Sequence, residues 1–171
     1  MQFDALFTTY KNMVYNLALQ YVQNVEDAEE ITQDVFVAIH HSLNTFKQHA
    51  EVSTWIYRIA INKSLDFLKA KKRKKRFGFI VSVFEHQETM QAHSFNHPGI
   101  ELEQKQAIQL IFSALNKLND KQKTALILSK IEQKSQKEVA EIMNLTPKAV
   151  ESLIGRAKNN VFKNLNNKEG L

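Results

Sequence analysis

Near the C-terminal end of the chain, polar side chains recur at the spacing of one helical face. Lys148, Ser152, Arg156 and Asn159 lie three or four positions apart, a spacing that aligns side chains along one side of an α-helix. Lysine and arginine bind phosphate, and arginine also donates two parallel hydrogen bonds to the edge of guanine. The chemistry that this face offers is the binding of DNA.

The residues around this face predict two short helices joined by a tight turn. Ser135 and Glu138 match the S-x-x-E capping box that opens a helix, and Thr146 followed by Pro147 supplies an N-cap and a preorganised first position for the next helix. Such a pair is typical of a helix-turn-helix, whose second helix enters a major groove. The alternative is a plain pair of packed helices with a solvated basic face. The residues expected to face inward are Val139, Ala140, Ile142, Met143, Val150, Leu153, Ile154, Ala157 and Val161.

The composition predicts an all-α protein. The 171 residues include only 4 Gly and 2 Pro, which leaves few breaks for hairpins. Hydrophobic residues make up 43%, yet no apolar run reaches the roughly 18 residues of a membrane span, and no secretory signal precedes Phe3. The absence of cysteine excludes disulfides and thiolate metal sites. We therefore expect a cytoplasmic protein that does not insert into a membrane.

The net charge of +5 is distributed unevenly along the chain. Residues 1–68 carry 4 Lys/Arg against 8 Asp/Glu, whereas residues 69–76, KAKKRKKR, carry 7 against none, and residues 121–171 carry 10 against 5. Basic blocks of this kind attract phosphate independently of sequence, although the block could also be the solvated face of a linker. The acidic front half indicates a second partner, which we expect to be a protein.

Helical periodicity predicts three helices in the front half. The first runs from about Phe3 to Tyr21. Asn24 is the expected cap of a second helix with an acidic first turn, and Ser53 is the expected cap of a third that runs into the basic block and ends at Arg76.

The periodicity fails between Phe77 and Pro98, which predicts a linker, and the role of the apolar run Phe77–Phe84 within it stays open. Four helices follow, of which the second carries an Asn119 cap. The predicted architecture is two small helical domains joined by a flexible linker, with domains at 1–76 and 101–171 and the linker at 77–100. The expected helices after the linker span 101–118, 120–131 and the helix-turn-helix at about 136–158.

Three segments, taken in order, resemble the extracytoplasmic-function (ECF) subgroup of bacterial RNA polymerase sigma factors in the sigma-70 family. NVEDAEEITQDVFVAIHHSL is similar to the family's segment in which a D-A-E-D-like start leads to Q-[DE]-x-F. STWIYRIAINKSLDFLKAKKRK resembles W-[LI]-Y-R-I-A-x-N-x-x-x-D-x-L followed by basic residues, and the segment from Leu115 to Val161 resembles the one that begins L-P-x-x-x-R-x-x-x-L. The resemblance covers almost the whole chain and rests on the order and spacing of the three segments together.

The resemblance implies a non-enzymatic transcription factor that binds core RNA polymerase, directs it to promoters and helps to open the DNA. The implied partners are the clamp of the largest polymerase subunit and the flap, promoter DNA and an anti-sigma factor, and no cofactor is implied. The residues that match the reader of the minus-thirty-five element are Lys148, Glu151, Ser152, Gly155, Arg156 and Lys158. Those that match the minus-ten reader are Phe46, Ile59 and Asn62, which form a pocket for an extruded base, with Trp55, Arg58 and Lys63 as secondary candidates. The residues expected to bind core polymerase are Asp27, Glu30, Gln33, Asp34 and Phe36.

Two positions depart from the family pattern. Glu151 replaces a residue that is often basic, which removes a charge that would attract phosphate, and Gly155 stands where a larger side chain is frequent. A glycine inside a helix costs about 1 kcal/mol relative to alanine. Both departures bear on base preference and leave the predicted fold unchanged.

The same residues leave other functions open. A free-standing helix-turn-helix regulator would use only the second domain. A two-metal nuclease could use Asp27, Glu30 and Asp34, but no further acid or general base accompanies them. The histidines His40, His41, His49, His86, His93 and His97 lack the converging ligands that zinc requires, so no metal site is predicted.

Overall fold

A computed structural model of the chain describes residues 2–46, 50–82 and 102–166. Every regular element in these stretches is helical, which confirms the predicted all-α class. Within them the α-helices are α1 (Phe3–Val22), α2 (Val25–Ser42), α3 (Val52–Ser82), α4 (Leu102–Asn116), α5 (Asp120–Leu126), α6 (Gln136–Met143) and α7 (Pro147–Asn166). A short 3-10 turn, Leu43–Thr45, follows α2, and a π-helical turn, Ile127–Ile131, follows α5.

The chain forms two compact units. Of the described residues, the first unit comprises 2–46 and 59–82, and the second comprises 50–58 and 102–166. The predicted domains, 1–76 and 101–171, have other limits than these units, because the first turns of α3 belong to the second unit. The exact domain limits stay a prediction, and most of the predicted linker, from residue 83 onward, lies outside the described residues.

The core of the first unit forms where α1 packs against α2. The two helices bury residues at a spacing of three or four, so each presents one apolar face to the other. Burying a side chain of this size contributes about 1.5–3 kcal/mol relative to leaving it exposed. The fully buried side chains are Val14, Leu17 and Tyr21 from α1 and Ile31, Val35 and Ile39 from α2.

Two residues reverse the chain between these helices. Gln23 adopts the left-handed conformation at φ 58°, and its N–H donates to the Leu19 carbonyl oxygen at 2.8 Å. The Asn24 side chain then accepts from the N–H of Asp27 at 2.8 Å. The predicted Asn24 cap is confirmed, and it fixes the direction in which α2 leaves the turn.

Helix α3 is longer than the sequence suggested. It begins at Val52, so Ser53 lies inside the first turn instead of capping it, and it continues six residues past Arg76 to Ser82. Residues 77–82 contain one glycine and no proline, so no residue forces the helix to stop after the basic block. Among the helices of the described residues, α3 included, none is long and apolar enough to cross a bilayer.

In the second unit, α7 packs against α4, α5 and α6. An apolar cluster forms where α4, the turn after it, α5 and α7 meet. Its buried members are Leu115, Leu118, Leu126 and Ala157, with Phe112 and Val161 at the edge. The helix that was predicted to meet DNA is thereby held by one of its faces.

The turn between α6 and α7 has the predicted helix-turn-helix caps. The Ser135 side chain accepts from the N–H of Glu138 at 3.3 Å while the Glu138 carboxylate accepts from the N–H of Ser135 at 2.8 Å, which completes the capping box. Asn144 ends α6 in the left-handed conformation at φ 53°. Thr146 then caps α7 by accepting from the N–H of Ala149 at 3.2 Å. The roles of Ser135, Glu138 and Thr146 were predicted because their contacts are local in sequence, whereas Asn144 was not singled out from the sequence.

The helix predicted at residues 120–131 is regular only to Leu126. Its Asn119 cap is present, because the side-chain oxygen accepts from the N–H of Gln122 at 2.9 Å. Beyond Leu126 the backbone widens into the π-helical turn, in which the N–H of Glu132 donates to the Ile127 carbonyl oxygen at 3.0 Å. Gln133, at φ 53°, then ends the segment.

The capping box makes stability depend on pH through Glu138. The hydrogen bonds from Ser135 hold the pKa of the Glu138 carboxyl below its ordinary value of 4.5. Because the folded carboxyl binds its proton at a lower pH than the unfolded one, its stabilising effect is present above about pH 5 and is lost as the pH falls through the folded pKa. We expect the urea midpoint of wild type to exceed that of Glu138→Gln at pH 7, and the difference to shrink by pH 3. Glu141→Gln on the same helix is the control for general charge effects, and a difference that stays constant from pH 7 to 3 would contradict this role.

Candidate DNA and polymerase interfaces

The residues predicted to read the upstream element all lie on the exposed side of α7. The opposite side is buried through Val150, Leu153 and Ala157, so packing alone decides which side chains remain outside. The exposed set contains each predicted member, namely Lys148, Glu151, Ser152, Gly155, Arg156 and Lys158. The structure brings these residues together on one helix, and the set mixes cationic, anionic and small side chains.

Two side-chain hydrogen bonds hold α7 to its neighbours. The Gln136 side-chain amide donates to the Pro147 carbonyl oxygen at 2.9 Å, which ties the starts of α6 and α7 together. Near the other end, the Asn160 amide donates to the Gln122 side-chain oxygen at 3.1 Å. A reading helix must be held rigidly to discriminate between bases, and these contacts limit its rotation.

Arg156 lies along its own helix. Its Nε donates to the Ser152 carbonyl oxygen at 3.3 Å while the side chain stays exposed. This contact is weak enough to be exchanged for a stronger one, because hydrogen bonds from guanidinium to a base edge or phosphate are shorter and charge-assisted. Arg156 is therefore available to a ligand at little energetic cost.

The predicted minus-ten residues other than Phe46 occur on α3 at helical spacing. Asn62 is exposed, whereas Trp55, Ile59 and Lys63 are half-buried. Phe46, just after the 3-10 turn, is also half-buried. Residues 47–49, between Phe46 and α3, lie outside the described part of the chain, so the predicted pocket of Phe46, Ile59 and Asn62 stays a prediction.

Arg58 is engaged inside the second unit, to which residues 50–58 belong. Its guanidinium donates to the carbonyl oxygens of Glu141 at 2.6 Å and Ile142 at 3.2 Å. The neighbouring Tyr57 hydroxyl donates to the Glu132 carboxylate at 2.7 Å. Burial raises the pKa of Tyr57, and the hydrogen bond to Glu132 raises it further. In this conformation the guanidinium of Arg58 is occupied by main-chain carbonyl groups.

The outward face of α2 carries three of the five residues predicted to bind polymerase. Glu30, Gln33 and Asp34 are exposed and lie on one side of the helix. Val37 follows on the same side, one turn further on, and is 55% exposed. Val37 could not be singled out from the sequence, because an apolar residue next to buried positions gives no signal that distinguishes it from the core. The face is therefore acidic with an apolar residue at one end.

Asp27 faces another part of the first unit. Its carboxylate pairs with the ammonium group of Lys71, within the basic block of α3. The Asp27 side chain is only 18% exposed, so most of its surface is unavailable to a partner. The structure thus gives Asp27 an internal partner that the sequence did not reveal, because the two residues are 44 positions apart.

Phe36, the fifth predicted residue, is buried. It is 4% exposed and packs edge-on against the Phe7 ring, with centroids 4.8 Å apart, and against the Phe3 ring at 6.3 Å. Rings in this geometry attract each other beyond the area they bury. The ring fixes α2 on α1 and leaves the outward face to its neighbours, and the expectation that Phe36 contacts polymerase stays a prediction.

Metal-binding chemistry finds no support in the part of the chain that the structure describes. No group of three or more histidine, aspartate or glutamate side chains there converges on a point that could hold an ion. His40 packs edge-on against Phe3 at 5.3 Å and against His41 at 5.8 Å. His49, His86, His93 and His97 lie outside the described residues.

Two family matches cover most of the chain. Residues 6–74 match Sigma-70 region 2, and residues 108–161 match Sigma-70, region 4. The first match contains α2 and its acidic face, and the second contains the capped helix pair of the second unit. Their order along the chain agrees with the order of the three segments identified in the sequence.

Curated relatives give the same assignment. The chain is 31% identical to RNA polymerase sigma factor CnrH of Cupriavidus metallidurans over 77% of this chain and 70% of that protein. It is 29% identical to ECF RNA polymerase sigma factor SigW of Bacillus subtilis, over 95% and 88%, and 28% identical to ECF RNA polymerase sigma-E factor of Haemophilus influenzae, over 91% and 83%. The chain therefore belongs to the sigma-70 family of RNA polymerase sigma factors, and within it to the ECF subgroup.

Solved structures agree on the fold. CnrH in complex with the cytosolic domain of CnrY superimposes with a TM-score of 0.67 at 23% identity, covering 96% of this chain and 87% of that one. The sigma factor RpoE in complex with the anti-sigma factor NepR from Bartonella quintana gives a TM-score of 0.65 at 20% identity, covering 96% of both chains.

Measurements of stability can distinguish the buried position of Phe36 from the exposed position of Val37. Phe36→Ala should lower the free energy of unfolding by about 3–5 kcal/mol, because it leaves a cavity between α1 and α2. Val37→Ala, at the adjacent exposed position, should change it by less than about 0.5 kcal/mol. Urea denaturation of both variants gives the two values, and equal effects would contradict the orientation of α2.

Proposed function

We propose that this chain binds core RNA polymerase, carries it to specific promoters and helps to open the DNA for initiation. The observation that carries the proposal is the presence of both sigma-70 regions, in family order, in one chain. A free-standing helix-turn-helix regulator needs only the second region. The catalytic chemistry of transcription belongs to the polymerase, so the chain itself is not an enzyme.

Upstream recognition is proposed for the exposed face of α7. Arg156 is suited to donate two hydrogen bonds to guanine, and Glu151 can accept from the N4 amino group of cytosine. A good bidentate contact is worth roughly 1–3 kcal/mol of discrimination against the wrong base. Lys148 and Lys158 are assigned to phosphates, which set the register of the helix without reading sequence.

Recognition of the minus-ten element is proposed for α3 and the segment before it. Phe46 and Ile59 would form the apolar wall against which an extruded base of the non-template strand packs. Asn62, which is exposed, can both donate and accept hydrogen bonds at the edge of that base. Extruding a base requires a few kcal/mol, which stacking and hydrogen bonding offset. The exposed cations of the basic block, Lys72 to Arg76, are assigned to the DNA backbone.

Attachment to polymerase is proposed for the outward face of α2. Glu30 and Asp34 would attract a basic surface on the clamp, and Gln33 can hydrogen-bond to it. Val37 adds an apolar contact on the same face, where it is 55% exposed. Region 4 is proposed to bind the flap, by the same family resemblance.

Regulation by an anti-sigma factor is proposed as well. The structural neighbour RpoE was solved with the anti-sigma factor NepR, and a comparable partner would keep this chain from polymerase until it is released. Because its partners are polymerase and promoter DNA, we assign the chain to the cytoplasm.

Transcription from defined components tests the proposal. Purified chain and core polymerase are incubated with a library of promoter fragments, and transcripts are mapped by their 5′ ends. We expect initiation at a discrete class of promoters only when both proteins are present. Failure to bind core polymerase, together with no promoter-dependent start, would refute the proposed function.

The two interfaces should be separable by mutation. Arg156→Ala should reduce promoter binding by holoenzyme about 5- to 150-fold, equivalent to 1–3 kcal/mol, and leave core binding unchanged. Asp34→Ala should weaken core binding and leave the promoter preference of the remaining holoenzyme unchanged. Lys117→Ala and Asp4→Ala, exposed residues that lie on neither α2 nor α7, are the matched controls. Identical defects in Arg156→Ala and Asp34→Ala would contradict the division of labour.

Asn62 should act at strand separation. Asn62→Ala is expected to slow open-complex formation while upstream docking persists, because the extruded base loses its hydrogen-bonding partner. A template that is already melted around the start site should restore most of the rate. The control is Asn12→Ala, the same substitution at an exposed position of α1. A rate that stays low on the melted template would argue against this role.

A further inference from the structure

Gly155 has no structural reason to be glycine. It lies inside α7, well away from either end, and is exposed. Its φ is not positive, so an L-residue could adopt the same conformation. A Cβ built on its backbone meets no atom within 4 Å. Alanine at this position would therefore fit the fold and favour the helix.

The contrast with Ala157, two residues further on, shows what a structural small residue looks like. Ala157 is fully buried in the cluster that holds α7 to the second unit. A larger side chain there would overpack the core. Packing explains the small size of Ala157, whereas the space at Gly155 opens to the outside.

The surroundings of Gly155 indicate what this space could hold. Glu151, Ser152, Arg156 and Asn159 are all exposed within one turn of it. As an interior residue of an α-helix, Gly155 has its N–H and carbonyl groups in the helical hydrogen-bond ladder, so it offers no hydrogen bond to a ligand. What remains is an apolar CH surface with polar side chains around it.

We infer that Gly155 is a specificity-determining residue whose missing side chain forms a notch for the C5-methyl group of a thymine in the upstream element. The inference rests on the proposed function, because it requires α7 to lie in the major groove. Among the groups that base pairs expose there, the thymine methyl is the one that is read by apolar contact instead of a hydrogen bond. Gly155 itself offers a phosphate no hydrogen-bond donor, because its N–H belongs to the helical ladder.

The test compares a methyl group added to the protein with one removed from the DNA. Wild-type and Gly155→Ala holoenzymes are assembled with core polymerase, and binding is measured on a promoter obtained by selection with the wild-type holoenzyme. Each thymine of the upstream element is replaced in turn by deoxyuridine, which lacks only the C5-methyl group.

We expect one thymine at which deoxyuridine weakens wild-type binding. Gly155→Ala should bind the thymine promoter at least about fivefold more weakly, because the two methyl groups compete for one space. Deoxyuridine at that same position should restore binding of the alanine variant. Gly155→Leu, which fills the notch completely, should bind weakly on both templates.

The controls separate this inference from misfolding and from failure of the proposed function. Gly155→Ala should melt roughly 4–8 °C higher than wild type, since alanine favours the helix, and should bind core polymerase normally. If wild-type holoenzyme initiates but Gly155→Ala binds every template equally well, the notch is refuted. A loss that no deoxyuridine relieves refutes the assignment to a base methyl. A wild-type chain that directs no promoter-dependent initiation refutes the proposed function, and the notch with it.

Discussion

The burial of one face of each amphipathic helix is the constraint on which the rest of the structure depends. Val150, Leu153 and Ala157 must enter the core of the second unit, and because successive residues of a helix differ by about 100°, this fixes the direction of every other side chain on α7. Ser152 and Arg156 then face outward. Inserting one residue in α7 would leave its composition almost unchanged and would rotate the proposed reading face by about 100° relative to the core.

The same constraint acts on α2. Ile31, Val35 and Ile39 pack against α1, so the carboxylates of Glu30 and Asp34 lie outside. These acidic residues of the front half of the sequence therefore form an exposed surface on α2. Phe36 does not fit a simple separation into a buried and an exposed face, because its ring is packed in the core although it lies beside exposed positions.

The features that could be predicted from sequence are those that depend on neighbouring residues. The caps at Asn24, Asn119, Ser135 and Thr146 follow from contacts three residues apart, and all are present. Apart from the Ser53 cap, which failed because α3 begins one residue earlier, the features that were missed depend on distant residues or on the absence of a signal. Phe36 is buried by α1, and Asp27 is paired with a lysine far along the chain. Helix α3 continues past the basic block because nothing breaks it, and the π-helical turn after α5 inserts a widening that periodicity alone does not reveal.

The proposed contacts also explain why two recognition sites would need a common carrier. A few base contacts of roughly 1–3 kcal/mol each discriminate between sequences but give modest affinity for any one site. Attachment of both sites to one large partner turns the second binding event into an intramolecular one, which can raise affinity by about 10²- to 10⁴-fold without any new contact. Specificity then belongs to the assembled complex.

The most direct test of this account is the binding of the purified chain to labelled promoter and scrambled duplexes, measured at one salt concentration with and without core polymerase. The account predicts weak binding by the chain alone with little preference between the duplexes, and tight binding to the promoter once core polymerase is added. Promoter-specific binding by the chain alone that equals the binding in the presence of polymerase would contradict it.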